Sequence, residues 1–228
     1  MIEAVTFDAT GTLFAPGDLA ADYARILGRH GVAVERDRLA ALLPEVWSEF
    51  SCAADPARDR FASHPRGARG FWRDVVDRVT ERAGAGRASP FAFAELYDHF
   101  ARAAAWRVYD DVPPALGRLA AQGVALAVVS NWDERLPRLL AELDLERHFA
   151  VVVVSAEVGV EKPHAKIFAT AAARLGVEPA RIVHVGDRKL EDVEGAEAAG
   201  LRALWLVRGG GGDLADLSTL PERVATLA

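Results

Sequence analysis

Apolar residues fall in three different rhythms along this chain. Ile2 to Phe7 is a short run of mostly β-branched and aromatic residues that stops at Asp8, which predicts a strand. Residues 16 to 105 carry helical spacing. Asp18 caps a helix from Leu19 to His30 with Gly31 as its stop, and Asp37 opens another from Arg38 to Phe50. Ser51 to Gly70, rich in Ala, Asp, Pro, Arg and Gly, reads as loop with a helical turn. Phe71, Val75, Val76 and Val79 share one face of a third helix ended by Gly84 and Gly86, and a fourth runs from Pro90 to Ala105.

Beyond residue 105 the pattern alternates. Helices are predicted over Pro114–Ala121, Leu136–Leu143, Pro163–Leu175, Asp192–Ala199 and Glu222–Thr226. Strands are predicted over Val124–Val129, Val151–Val154, Ile182–Val185 and Leu201–Val207. Gly209 to Gly212 is a loop, since it follows a late strand and lacks GxGxxG spacing.

Repeated βα units imply an α/β fold: a three-layer, Rossmann-like parallel sheet with helices on both faces. The helical stretch between the first strand and the repeat is then an inserted domain. The expected division is an α/β core of residues 1–15 and 106–228 and a helical domain of residues 16–105. Trp47, Trp72 and Trp106 read as core residues and not as a ligand box.

A length of 228 residues suits one large domain or two small ones. The net charge of −6 gives no reason to expect nucleic acid or an anionic membrane as partner. No uncharged apolar run reaches the roughly 18 residues of a membrane span, and the N-terminus lacks a signal-peptide pattern. A single cysteine, Cys52, excludes an intrachain disulfide and fits a reducing, cytoplasmic setting. A monomer or a homodimer is expected.

The candidate chemistry lies at predicted strand ends. Asp8, Ser130 and Asp187 each follow an apolar strand, and Lys162 comes shortly after another. In a parallel sheet those carboxyl ends share one edge, where ligands bind. Gly11 and Thr12 let the loop after Asp8 bend and turn amide N–H groups outward, towards an anion. Taken singly, Asp8 and Ser130 read equally well as turn residues.

Asp8-Ala9-Thr10-Gly11-Thr12-Leu13 resembles the D-x-D-G-T-L signature of the haloacid dehalogenase-like (HAD) hydrolases. Val128-Val129-Ser130-Asn131 resembles their second signature, Lys162-Pro163 at a helix start their third, and Gly186-Asp187 with Asp192 their fourth. Ser130-Asn131-Trp132-Asp133-Glu134-Arg135-Leu136 is similar to an S-N-x-D-x-R-L pattern. That pattern belongs to a subgroup related to haloacid dehalogenase-like hydrolase domain-containing protein 3.

The resemblance implies that the helical insert is a cap and that Asp8 attacks a phosphorylated small molecule, forming an aspartyl-phosphate. It implies Ser130, the Asn131 amide and the Gly11–Thr12 loop as phosphoryl contacts, and Lys162 as the charge that offsets nucleophile and phosphate. It implies Mg²⁺ on Asp8, the Thr10 carbonyl, Asp187 and Asp192, an oxygen set that suits a hard cation.

Thr10 departs from the pattern. The family's phosphatases have a second Asp there, which protonates the leaving alkoxide and later activates water. Such a group is worth roughly 100- to 10,000-fold, and a Thr hydroxyl does not replace it. Three readings stay open: a phosphatase for substrates with good leaving groups, such as acyl or aryl phosphates; a 2-haloacid dehalogenase-like C–X hydrolase; or a catalytically weak scaffold that binds a phospholigand or a protein. The intact Gly186-Asp187 pair weighs against the dehalogenases. The absence of lysine from residues 16–105 weighs against phosphonatases, which use a cap lysine.

Overall fold

A computed structural model describes residues 1–52, 55 and 57–227. The first strand, β1 (Ala4–Phe7), is followed by a three-residue strand, β2 (Phe14–Pro16). Helices α1 (Leu19–Arg29), α2 (Arg36–Cys52), α3 (Gly67–Arg82) and α4 (Pro90–His99) come next. The chain then returns through β3 (Trp106–Val108), which pairs antiparallel with β2, Pro16 standing opposite Trp106. Helix α5 (Val112–Ala121), β4 (Ala125–Ser130), α6 (Leu136–Glu142) and β5 (Val151–Val154) follow. After them come α7 (Ser155–Val158), α8 (Ala165–Leu175), β6 (Ile182–Gly186), α9 (Gly195–Ala198), β7 (Arg202–Trp205) and α10 (Leu220–Thr226).

Five strands form a parallel sheet in the order β5-β4-β1-β6-β7. All four residues of β1 are buried, because the central strand is covered on both faces. Alternation sorts its side chains. Val5 and Phe7 join Val128 and Val185 in a core shared with α5, α6 and α10, while Ala4 faces the core under α8 and α9. This is the α/β, Rossmann-like architecture expected. A separate apolar core runs from Ala20 to Leu96 among α1–α4. No helix among the described residues is long and apolar enough to cross a membrane.

Several elements differ from the sequence expectation. The β2–β3 ribbon was not predicted, since three residues are too few to show a period, and Pro16 read as a break. The fourth helix stops at His99, and Ala103–Ala105 form a separate 3-10 turn. The region expected as loop from Ser51 to Gly70 is shorter, because α2 reaches Cys52 and α3 starts at Gly67. Its residues 53, 54 and 56 lie outside the described set. The helix expected from Asp192 is a π-helical turn, Lys189–Glu194, running into α9. Asp192 lies inside that turn, where its carboxylate accepts the Arg188 N–H at 2.8 Å.

Candidate active site

Strands β4, β1 and β6 are neighbours, so the residues that leave their carboxyl ends meet. Asp8 continues β1 by one rung, donating its N–H to the Val185 carbonyl at 2.9 Å. Its Oδ1 accepts from Ser130 Oγ at 2.8 Å and from Lys162 Nζ at 2.6 Å. Oδ2 has no hydrogen-bond partner among the described residues. Lys162 reaches this point because Asn131 clamps its backbone. The Lys162 N–H donates to Asn131 Oδ1 at 2.7 Å, and Asn131 Nδ2 donates to the Lys162 carbonyl at 3.1 Å.

Behind Asp8, Lys162 Nζ also donates to Asp192 Oδ1 at 2.6 Å. His184 Nε2 lies 3.2 Å from the same oxygen, and His184 Nδ1 is 2.8 Å from Thr6 Oγ1. Asp192 packs so closely on the backbone that a Cβ at Gly186 would lie 2.2 Å from its carboxyl carbon. Burial opposes charge on Lys162, but the Asp192 and Asp8 carboxylates outweigh it and push its pKa up. Burial likewise opposes charge on Asp192, and the Lys162 ammonium and the His184 bond outweigh it, holding its carboxyl low.

Asp187 is different. Its Oδ1 is buried with no partner. Burial first, then the Asp8 and Asp192 charges, push its pKa up to about 7. Gly11 makes this approach possible: its φ is +89°, and a Cβ there would lie 2.5 Å from Asp187 Oδ2. Oxygens of Asp8, Asp187 and Asp192 lie within 4.8 Å of one another. The fit to a hard cation is therefore good at Asp8 Oδ2 and Asp187 Oδ1, one free and one orphaned. Asp192 Oδ1 accepts from Lys162 and Oδ2 from the Arg188 N–H, and its carboxylate stays within the group of three whose spacing suits a cation.

These groups sit at one end of a cavity of about 450 Å³ that extends among α1–α4. Asp8, Thr10, Gly11, Ser130, Asn131 and Asp187 line it. Lys162 and Asp192 stand behind Asp8. Thr12 is fully buried, with Oγ1 unpartnered and its carbonyl accepting from Arg208 Nη2 at 2.6 Å. Thr10 Oγ1 accepts from Trp132 Nε1 at 3.0 Å. Trp132 packs edge-on against Phe14 and tilted against Trp106.

Three further contacts were not foreseen. Arg208, just past β7, binds the carbonyls of Gly11 and Thr12 and the Asp111 carboxylate. Nothing local in the sequence marks it, because its partners stand 97 to 197 residues away. Asp133 is fully buried between Trp72 Nε1, at 2.6 Å, and the Arg135 guanidinium, at 2.7 Å. Glu161 takes the Arg60 guanidinium on both oxygens. The last two tie α3 and the segment before it to the sheet edge.

A family model for haloacid dehalogenase-like hydrolase matches residues 2–200. Haloacid dehalogenase-like hydrolase domain-containing protein 3 of Mus musculus is 40% identical over 144 residues, 62% of this chain and 57% of that protein. Glyceraldehyde 3-phosphate phosphatase of Methanopyrus kandleri is 34% identical over 217 residues, 92% of this chain and 85% of that one. Among solved structures, 2-haloacid dehalogenase of Pseudomonas syringae superposes with a TM-score of 0.67 at 28% identity over the full length of both chains. With strand order, strand-end residues and these likenesses in agreement, the chain belongs to the haloacid dehalogenase-like hydrolases.

Proposed function

We propose that the protein is a Mg²⁺-dependent phosphatase that works through an aspartyl-phosphate on Asp8 and acts on small phosphorylated molecules with good leaving groups. The helical residues 16–105 form a cap over an α/β core of residues 1–15 and 106–228, and a cytoplasmic setting fits the lone cysteine. The observation that carries the reading is the state of Asp8. Oδ1 is fixed by Ser130 and Lys162, and Oδ2 is left free at the cavity wall.

In the forward step Asp8 Oδ2 attacks phosphorus, and the electron pair of the breaking P–O bond departs on the leaving oxygen. The Asn131 N–H and the backbone N–H groups of Ala9 and Thr10 hold the phosphoryl oxygens, Ser130 turns its one O–H from Asp8 Oδ1 to join them, and Lys162 offsets the charge gathered there. Water then attacks the aspartyl-phosphate, releasing phosphate and restoring the carboxylate. A bound Mg²⁺, held by Asp8, Asp187 and the Thr10 carbonyl, would supply charge neutralisation between two anions. Thr10 cannot serve as the general acid, which restricts the reaction to leaving groups stable as anions.

The test is phosphate release from acetyl phosphate and phenyl phosphate, with Mg²⁺ and with EDTA, for the native chain and Asp8→Asn. Release that needs both Mg²⁺ and Asp8 supports the reading; release unaffected by Asp8→Asn refutes it. The apolar cavity wall favours a second reading, C–X hydrolysis, which metal-independent chloride release from 2-chloropropionate would establish. An inert protein whose phospholigand affinity survives Asp8→Asn would instead be a binding scaffold.

A further inference from the structure

The chemistry of the cavity beyond the reactive end narrows the substrate. Its wall there is aromatic and aliphatic, with Tyr23, Trp47, Phe61, Trp72, Phe93 and Trp106 on it, so the three tryptophans expected as core residues line a cavity instead. Three arginines border it, and each already has a carboxylate. Arg60 is held by both oxygens of Glu161, which is itself buried. Arg135 is held by both oxygens of Asp133, with its guanidinium 3.9 Å from the centre of the Tyr97 ring. Arg188 Nη2 lies 3.2 Å from Glu191 Oε1.

A second anionic group on the substrate would therefore lose its water and find no unmatched cation among the described lining residues. An ammonium group would fare little better, since Glu191, the lining carboxylate beyond Asp8 and Asp187, already accepts from Arg188 at 3.2 Å and from Asn131 Nδ2 at 3.5 Å. The Tyr23 hydroxyl has no hydrogen-bond partner among the described residues, so the wall offers a neutral donor where a charged one is missing. Aromatic walls of this kind hold flat apolar groups by stacking and edge contacts.

The reactive end sets a second condition. Trp132 Nε1 donates to Thr10 Oγ1, which leaves the Thr10 O–H available as a neutral donor on the cavity wall that Asp8 also lines. A neutral donor stabilises a phenolate by hydrogen bonding but does not deliver a proton to an alkoxide.

We propose that the substrate class is aryl monophosphates whose ring system is uncharged, with the ring seated among the cap aromatics and the departing phenolate oxygen next to Thr10. This rests on the phosphatase reading above and adds to it the shape and charge of the group carried by the phosphate. In the transfer, the aryl O–P bond breaks as the Asp8 Oδ2–P bond forms. The electron pair stays on the phenolate, which takes its proton from water after leaving.

The experiment compares α-naphthyl, phenyl, 4-carboxyphenyl, cyclohexyl and acetyl phosphate on the full chain with Mg²⁺. The expected kcat/KM for phenyl phosphate exceeds that for cyclohexyl phosphate by at least about 100-fold, the low end of what a missing general acid costs. The 4-carboxyphenyl ester is expected to be at least about tenfold poorer than phenyl phosphate, its KM rising because a buried carboxylate goes unpaired. A lower KM is expected for α-naphthyl phosphate than for acetyl phosphate, and Trp47→Ala is expected to narrow that gap. Acetyl phosphate turned over with aryl and cyclohexyl esters equal, or with the carboxylated ring preferred, overturns the substrate class and leaves the phosphatase reading standing. No phosphate from any of the five overturns the phosphatase reading itself, and the substrate class with it.

Discussion

The indole N–H of Trp132 donates to Thr10 Oγ1 across 3.0 Å, joining the residue after the second strand-end signature to the odd position of the first. Thr10 is thus a held group with its acceptor side occupied, and not a loose replacement. A carboxylate introduced at position 10 would find the same indole donor. Thr10→Asp is therefore expected to raise kcat on cyclohexyl phosphate by at least about tenfold, part of the ~100- to 10,000-fold that a well-placed general acid supplies. Phosphate release under saturating substrate measures it. Introduced into Trp132→Phe, the same carboxylate would lack its donor and should deliver less.

Arg208 holds the Gly11 and Thr12 carbonyls from outside the loop, at 3.3 and 2.6 Å, and so fixes the turn after Asp8. Within that turn the Gly11 N–H donates to the Phe14 carbonyl at 2.8 Å and the Thr12 N–H to the Ala9 carbonyl at 3.3 Å, so these two amides are not the anion contacts expected of them. Arg208 also bonds Asp111 at 2.9 Å and lies over the Tyr109 ring. Arg208→Ala would strip partners from partly buried carbonyls and a carboxylate, a loss of about 1–3 kcal/mol. Urea unfolding should show that loss. On the phosphatase reading proposed above, the turn positions the groups that contact phosphate without itself reacting, so the KM for phenyl phosphate should rise more than kcat falls.

The orphaned Asp187 gives a pH prediction. Its folded pKa is raised to about 7, so the protonated form prevails in the folded chain below that pH. In the metal-free protein this contribution to stability is therefore fully present below the unfolded value of 3.8 and is lost as pH rises through about 7. A bound cation needs the carboxylate. Mg²⁺ affinity should weaken by up to about tenfold per pH unit below 7 and level off above it. Thermal unfolding with and without Mg²⁺ at pH 6 and pH 8 checks this: the stabilisation by Mg²⁺ should be larger at pH 8.

Asp133 carries a buried charge shared by Arg135 and Trp72. Asp133→Ala would leave a largely buried guanidinium uncompensated and should cost about 3–5 kcal/mol, as breaking a buried pair does. Asp133→Asn keeps an acceptor for the indole and should cost less. Chemical denaturation separates the two.

The sheet, its parallel order and the meeting of Asp8, Ser130 and Asp187 were legible because a buried parallel strand writes itself as an apolar run, and its end is where the run stops. Lys162 was legible because a lysine ahead of Pro163 at a helix start has few other uses. Asp192 enters the expected metal set through the resemblance to the fourth signature. Its bonds to Lys162, His184 and Arg188 depend on a π-helical turn that no periodicity announces. Arg208 and the β2–β3 ribbon were invisible for a related reason: each is defined by a partner far along the chain, and a three-residue strand has no rhythm to detect. Trp132 stands at the variable position of the S-N-x-D-x-R-L pattern, and a side chain's hydrogen-bond partner is not written in its own neighbourhood.

The ribbon has a consequence for descent as well as for structure. Because Pro16 stands opposite Trp106, the chain leaves the sheet and comes back at one spot. The backbone between those two positions enters and leaves through a ribbon of three rungs, and the Trp72–Asp133 and Arg60–Glu161 bonds also fasten it to the sheet edge. A different helical module spliced there would leave every strand of the sheet in place and would have to supply new partners for Asp133 and Glu161, so new chemistry of recognition can be inherited separately from the chemistry of bond breaking.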